Sequence, residues 1–315
     1  MTKLPSRPSN VISLKQILEV AQRRGFAVGS FSPRCTPVIR PVLLAGADMA
    51  SPLIVQISQK ELDRYVVTPE EFADEFYANL QVLNIEVPVV LHLDHTKDFR
   101  VIEQAIEAGF TSVMIDASEM PLDENIRITR EVTELAHHHG VSVEAELGKI
   151  GTTDFVETDE DEELYTDPVE AERFVRETGI DALAASIGTA HGVYQTREPK
   201  VDLQRLQAIR HLTDVHIVLH GGSGVPAYMI HNAIQIQGGG ISKVNIATDL
   251  EVAVLAALNR SERMTNADCK ALSEREFTPA AVAVRDLVAE KIANFLGSKD
   301  HASDYFDSSQ WAVRS

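Results

Sequence analysis

The chain has 315 residues, 44% of them hydrophobic, and a formal net charge of −18. That length bounds one large or two ordinary domains with ample core. The acidity excludes a nucleic-acid or anionic-membrane partner, which would need a basic face, but leaves room for a local basic pocket that takes a phosphorylated metabolite. Cys35 and Cys269, the two cysteines, form no Cys-x-x-Cys motif or framework, so a reducing, cytoplasmic setting is expected. Residues 1–10 are polar and proline-bearing without an apolar core, so no standard secretory signal is expected. No apolar run of about 18 residues marks a membrane span.

Hydrophobic runs and amphipathic stretches alternate along the chain. Residues 13–24 read as an opening helix with Ser13 as its N-cap. Residues 26–32 form a first strand, 37–50 a helix with proline near its start, and 53–58 a second strand. A helix over 69–84 opens at Thr68-Pro69 with acidic residues in its first turn, where the helix dipole favours them. The third strand, 89–94, ends in Asp94 and His95. A helix over 98–108 closes at Gly109, a strand spans 112–116, and a helix over 123–139 closes at Gly140. The fifth strand spans 141–147, and a helix over 168–178 closes at Gly179. Strand six covers 182–188, followed by a helix over 202–212. Strand seven covers 216–220, a helix follows over 226–237, and strand eight covers 241–247. Helix resumes from Asp249, and one more amphipathic helix spans 279–296.

Eight strand–helix pairs fill about 250 residues, the usual span of a (β/α)8 barrel. The strands are near-continuous apolar runs, as expected when both faces are covered, and helical crossovers demand parallel pairing. The expected fold is therefore α/β, a (β/α)8 TIM barrel with additional C-terminal helices. It forms one domain over 1–315, with 259–315 as a helical extension and tail. The alternative, an open doubly wound sheet, would want a Gly-x-Gly-x-x-Gly turn after the first strand, where Phe31-Ser32-Pro33-Arg34 stands instead.

In such a barrel the C-terminal strand ends converge on one mouth. Asp94, His95, Asp116, Glu146, His191 and His220 then share one rim. Three imidazoles from separate strands with an open fourth position describe a catalytic divalent site, most simply zinc. After strand seven, Gly221-Gly222-Ser223-Gly224-Val225-Pro226 leads into a helix and offers backbone N–H groups to an anion. Strand eight ends Asn245-Ile246-Ala247-Thr248-Asp249, beside the position where barrels hold phosphate. A metal next to a phosphate cradle and an unmatched carboxylate suits carbonyl chemistry on a phosphorylated sugar. Asp94 stands where it can move a hydroxyl proton as general acid or base, or simply orient a ligand. His92 faces away from Leu91 and Leu93 and reads as packed rather than as a hydrogen-bonding partner of the site. His137, His138 and His139 sit at a helix C-terminus, where the dipole favours them without a metal.

Six ordered motifs resemble those of the class II, metal-dependent ketose-bisphosphate aldolases across about residues 11–295. They are His92-Leu93-Asp94-His95, Ser112-Val113-Met114-Ile115-Asp116-Ala117-Ser118, Val143-Glu144-Ala145-Glu146-Leu147-Gly148, Ile187-Gly188-Thr189-Ala190-His191-Gly192, Leu219-His220-Gly221-Gly222-Ser223-Gly224 and Lys243-Val244-Asn245-Ile246-Ala247-Thr248. Their wording is closest to the tagatose-bisphosphate branch, then to the fructose-bisphosphate one. The resemblance implies that His95, His191 and His220 ligate zinc, with Asp116 and Glu146 associated with the metal. It implies that Asp94 is the proton donor to the C4 oxygen in cleavage. Ser58 matches the family's serine at the end of the second strand. Gly192, Gly221, Gly222 and Ser223, with Asn245, Ile246, Ala247 and Thr248, would hold dihydroxyacetone phosphate, near a monovalent cation, sodium or potassium. The implied partner is a phosphorylated sugar, and the implied assembly a homodimer or homotetramer.

Two departures stand out. The family usually reads Phe-Asn after the first strand, and this chain reads Phe31-Ser32, followed by Pro33-Arg34-Cys35. Arg34 is thereby a candidate contact for an acidic or phosphorylated aldehyde. The loop after strand five carries Gly151-Thr152-Thr153-Asp154 and an acidic run from Glu157, so Asp154 or Glu157 is the candidate loop acid. A barrel hydrolase would show His-x-His at an early strand end and a lysine bridging two metals. A non-catalytic subunit would have lost its metal ligands. The polar tail is expected to pack on the barrel or on a neighbouring subunit, and Tyr305 and Trp311 within it serve subunit contacts or no visible role.

Overall fold

The computed structural model describes residues 7–149, 151–152, 165–192 and 199–306, with Gly151, Thr152 and His191 described by their backbone alone. The strands are β1 (Val28–Phe31), β2 (Leu53–Ser58), β3 (Val89–Thr96), β4 (Ser112–Ile115), β5 (Ser142–Leu147), β6 (Gly151–Thr152), β7 (Ala182–Ala185), β8 (Ala190–His191), β9 (His216–Leu219) and β10 (Ile241–Ile246). Eight of them close a barrel in the order β1-β10-β9-β7-β5-β4-β3-β2, with every pair parallel. The barrel expected from the alternating pattern is thus present.

The helices are α1 (Leu14–Arg24), α2 (Ile39–Asp48), α3 (Gln59–Tyr65), α4 (Pro69–Val82), α5 (Phe99–Ala108), α6 (Leu122–His138), α7 (Pro168–Thr178), α8 (Leu203–Leu212), α9 (Ala227–Ile234), α10 (Thr248–Ala257), α11 (Asn266–Ala271) and α12 (Glu274–Glu290). Their ends follow local chemistry. Ser13 Oγ accepts from the Gln16 N–H while the Gln16 side chain accepts from the Ser13 N–H, a reciprocal capping box. Asp98, Asp167 and Asp202 cap α5, α7 and α8. None of the helices among the described residues is long and apolar enough to cross a membrane.

Several elements differ from the sequence pattern. Pro37 belongs to a 3-10 turn over Thr36–Val38, and α2 starts only after it. Pro279 lies inside α12, whose start is set earlier by a capping box between Ser273 and Glu276. The short helices α3 and α11 carry too few apolar residues to show a helical period; each opens at its own capping box, at Ser58 and Thr265.

The apolar strands conceal a period of two, because successive side chains face opposite sides of a sheet. Outward residues such as Leu53, Val55, Ile57, Leu91, Leu93, Val113 and Val143 pack against the helices in one large core. Inward residues Val28, Ile54, Val90, Met114, Ala182, Ala184 and Val218 form a second core with α1, which plugs the N-terminal end of the barrel. Towards the opposite end the inward series turns polar, with Ser30, Gln56, His92, Glu144 and Lys243 all buried. The site stands on this polar layer.

Tyr305, expected to serve a subunit contact, is buried in the inner core, and its hydroxyl donates to Ile17 O at 2.8 Å. It fastens the C-terminal segment to α1 within the chain. Tyr305→Phe leaves that carbonyl short of a partner and should cost about 1 kcal/mol of stability. Urea unfolding of both proteins checks this; coincident curves would refute it. Trp311 lies outside the described residues.

Candidate active site

The C-terminal end of the barrel opens into a cleft of about 690 Å³. Its lining includes Ser58, Asp94, His95, Asp116, Glu146, Gly192, Gly221, Ser223, Asn245, Ala247 and Thr248. The strand ends therefore converge as the sequence pattern requires.

His95 owes its position to an irregularity. The pairing of β3 with β4 shifts between Leu93 and Thr96, and His95 takes a φ of 32°. A non-glycine residue in that region is strained, and the bulge redirects its side chain into the mouth. His95 Nδ1 lies 3.0 Å from Asp116 Oδ2, whose other oxygen accepts from Ser118 Oγ at 2.7 Å. The His95 and His220 rings meet edge to face, with centroids 4.5 Å apart. His220 Nε2 lies 2.8 Å from Glu144 Oε1, and its Nδ1 is turned towards Glu146 Oε2 at 3.5 Å.

Potential ligand atoms of Asp94, His95 and His220 all fall within 4.8 Å of one another, as do those of His95, Asp116 and Glu146. Glu146 Oε2 is buried and makes no hydrogen bond among the described residues. Burial alone would lower the basicity of His95, but the charges of Asp94, Asp116 and Glu146 raise its pKa to about 10. A cluster that draws a proton so strongly fits a divalent cation in its place. The His191 backbone lies on β8, paired with Thr152 of β6 in a small separate sheet. It is not at the end of a barrel strand, since β7 stops at Ala185. The His191 side chain, Asp154 and Glu157 lie outside the described residues.

Asp94 is buried and held from two sides. Gln56 Nε2 donates to Oδ2 and Asn245 Nδ2 to Oδ1, each at 3.1 Å. Burial would raise its pKa, but His95, His92 and Lys243 together keep the carboxyl well below the usual range. Asp94 is therefore a carboxylate at neutral pH, equipped to take a proton.

Below the rim, Lys243 Nζ donates to Glu144 Oε2 at 2.8 Å and to His92 Nε2 at 3.4 Å. His92 Nδ1 and Ser112 Oγ are 2.8 Å apart. His92 is thus wired into the polar layer rather than merely packed. Burial and Lys243 push its pKa down, so it is neutral. Gln56, Glu144 and Lys243 were missed as site residues. Their signal was parity: each falls on the inward series of its strand, two residues before a rim residue (Ser58, Glu146 and Asn245).

The cradle after β9 is built by close approach. A side chain at Gly221 would come within 2.3 Å of Ala190 O, and one at Gly222 within 2.9 Å of Asn245 O. The Gly222 N–H donates to Asn245 O at 3.0 Å, and Ile246 O accepts from the Ser32 N–H at 3.1 Å. These two backbone groups tie strand ends together behind the cleft wall. Ser58 Oγ accepts from the Glu61 N–H as the cap of α3, while remaining on the wall.

Arg34 lines the cleft, but its charge is already matched. Its Nε donates to Glu61 Oε1 at 2.9 Å, and a terminal nitrogen pairs with Glu251. Glu61 Oε2 accepts from Ser32 Oγ at 2.7 Å. Serine, arginine and Glu61 together occupy the corner where the family carries asparagine. Two carboxylates weaken Arg34 as a receptor for an anionic aldehyde. His137, at the far end of α6, pairs with Asp181 at 2.8 Å.

A family model described as fructose-bisphosphate aldolase class II matches residues 12–301. The chain is 41% identical over 249 residues to a fructose-bisphosphate aldolase of Geobacillus stearothermophilus, covering 79% of this chain and 85% of that one. It is 40% identical over 289 residues to the 6-phospho-5-dehydro-2-deoxy-D-gluconate aldolase of Bacillus subtilis strain 168, covering 90% and 95%. Among solved structures, the YdjI aldolase of Escherichia coli K12 superposes with a TM-score of 0.78 at 29% identity, over 93% of this chain and 99% of that one. The chain belongs to the class II fructose-bisphosphate aldolases, a metal-dependent family of carbon–carbon lyases.

Proposed function

We propose that this protein reversibly cleaves a ketose 1,6-bisphosphate, of the tagatose or fructose type, to dihydroxyacetone phosphate and glyceraldehyde 3-phosphate. The observation that carries the reading is the buried Asp94 carboxylate, fixed by two amides beside the His95, Asp116 and Glu146 cluster. His95, His191 and His220 hold zinc, with Asp116 and Glu146 beside it. When bound, that ion supplies a Lewis acid for the ketone oxygen and offsets charge left on the three-carbon fragment.

The protein's own groups do the rest. Cleavage of C3–C4 turns the C4 hydroxyl into an aldehyde, so that hydroxyl must lose its proton. Asp94 takes it in cleavage and returns it in condensation. This reverses the direction implied by the resemblance, because cleavage takes a proton from the C4 oxygen and condensation returns one. Gln56 and Asn245 keep the carboxylate aimed. Gly192, Gly221, Ser223, Ala247 and Thr248 seat the phosphate of the dihydroxyacetone half, with a sodium or potassium ion beside it. Ser58 lies towards the aldehyde half. A cytoplasmic homodimer or homotetramer completes the reading.

The similarity to the Bacillus subtilis relative favours one second reading, in which a different aldehyde half is released by the same chemistry. The Bacillus subtilis relative acts on a phosphorylated keto acid of that kind. A chelator-sensitive cleavage assay across ketose phosphates decides between them. The panel includes fructose and tagatose bisphosphates and 6-phospho-5-dehydro-2-deoxygluconate. Cleavage of a bisphosphate, lost with chelator and restored by zinc, is the expected result. Turnover of the keto acid alone selects the second reading, and no cleavage by metal-loaded protein refutes both.

A further inference from the structure

Behind the cleft wall, the loop following β1 packs against α11. Thr36 donates to Asn266 Oδ1 twice, from N at 2.8 Å and from Oγ1 at 3.0 Å. Cys35 Sγ lies 3.8 Å from Met264 O. These contacts seat Cys35 and Cys269 beside one another, close enough for each thiol to perturb the acidity of the other. Both cysteines are buried and reduced, and the chain has no others. Both line a small cavity of about 30 Å³, walled also by Pro33, Arg34, Tyr65 and Glu251. Such a space admits about one small polar molecule. Arg34 borders this cavity on one side and the active-site cleft on the other.

We propose that Cys35 and Cys269 form a redox-active dithiol that hydrogen peroxide closes into a disulfide, tying the Pro33–Arg34 edge of the cleft to α11. A pair of thiols far apart in sequence and touching in the fold is the geometry a cross-link needs. In a reducing compartment such pairs serve as transient redox sites rather than as structural staples. Cys35 Sγ points its S–H at Met264 O. Either thiol can supply the attacking thiolate. That thiolate attacks one peroxide oxygen, the O–O bond breaks, and the hydroxide released takes a proton. The second sulfur then displaces oxygen from the sulfenic acid of the first, forming the S–S bond. Two thiols and one peroxide give one disulfide and two waters. Arg34 directly precedes Cys35 and holds a φ of 61°, a strained turn, so a shift at Cys35 is passed to its side of the cleft.

The test is a non-reducing peptide map of the metal-loaded protein after hydrogen peroxide, with free thiols alkylated. It needs no substrate, so it stands apart from the aldolase reading. The expected product is a peptide pair joining Cys35 to Cys269, reversed by dithiothreitol. Amide exchange over residues 34–36 should slow several-fold in the cross-linked form. Cys35→Ser and Cys269→Ser should each lack the pair and the slowing. Intact thiols, sulfinic acid on either cysteine in place of the pair, or a cross-link that leaves exchange unchanged would overturn the proposal.

Discussion

Asp94→Ala should lower kcat by about 10²–10⁴-fold, the usual worth of a positioned acid–base group, while zinc content and fold are kept. The expectation rests on how the two carboxylate oxygens are used. Oδ1 accepts from Asn245 and Oδ2 from Gln56, so both are engaged by amides on strands β10 and β2. In the proposed reading His95, His191 and His220 hold the ion, so neither oxygen is required as a ligand, although Asp94 lies within reach of His95 and His220. Truncation leaves the two amides to water and should cost about 1–3 kcal/mol of stability. Elemental analysis and kinetics on the same preparation separate the possibilities. Loss of zinc in proportion to activity would make Asp94 a ligand, and unchanged kcat would remove it from the proton path. The sign with pH follows from its depressed pKa. A base already ionised far below neutrality stays competent as pH falls through the ordinary carboxylate range. An acid limb of kcat should therefore track loss of the metal from its histidines, measured on the same samples, and not protonation of Asp94.

The barrel was legible because its strands keep one chemistry along their length and glycines or capping residues close the helices between them. The rim residues were legible for a related reason: a charged group that ends an apolar strand needs a partner. What was hidden lies inside the strands. Gln56, Glu144 and Lys243 each stand two residues before a rim residue, and only inward parity, read across several strands together, sets them in one layer. His191 follows strand six at a remove, because the chain leaves the barrel at Ala185 and forms a second small sheet before it, with Ala190 still packed against Gly221 of the rim. The contact of Cys35 with Cys269 has no local signal, because it is made by the docking of α11 on the loop after β1.

Lys243→Met carries the second large expectation, a loss of stability of about 3–5 kcal/mol together with metal binding weaker by about 10–100-fold. Lys243 is fully buried, and Glu144 spends one oxygen on it and the other on His220, both at 2.8 Å. Burial would raise the Glu144 pKa. Lys243 first, and then His220 and His92, hold it at about 2. Methionine keeps the volume and removes the charge, so Glu144 is left with an uncompensated burial cost. If it takes a proton instead, its hold on His220 weakens and the ring is no longer fixed for a metal. The double variant Lys243→Met with Glu144→Gln separates the two effects. With no stranded carboxylate, most of the stability should return, a coupling of about 0.5–3 kcal/mol between the sites. Metal affinity should stay low, because His220 still lacks an ionised acceptor to orient it. Denaturant unfolding of the metal-free proteins and competitive zinc titration of each variant give the two readouts. Wild-type unfolding in the single variant would mean that Glu144 does not depend on Lys243. Recovery of zinc affinity in the double variant would mean that the carboxylate does not position His220.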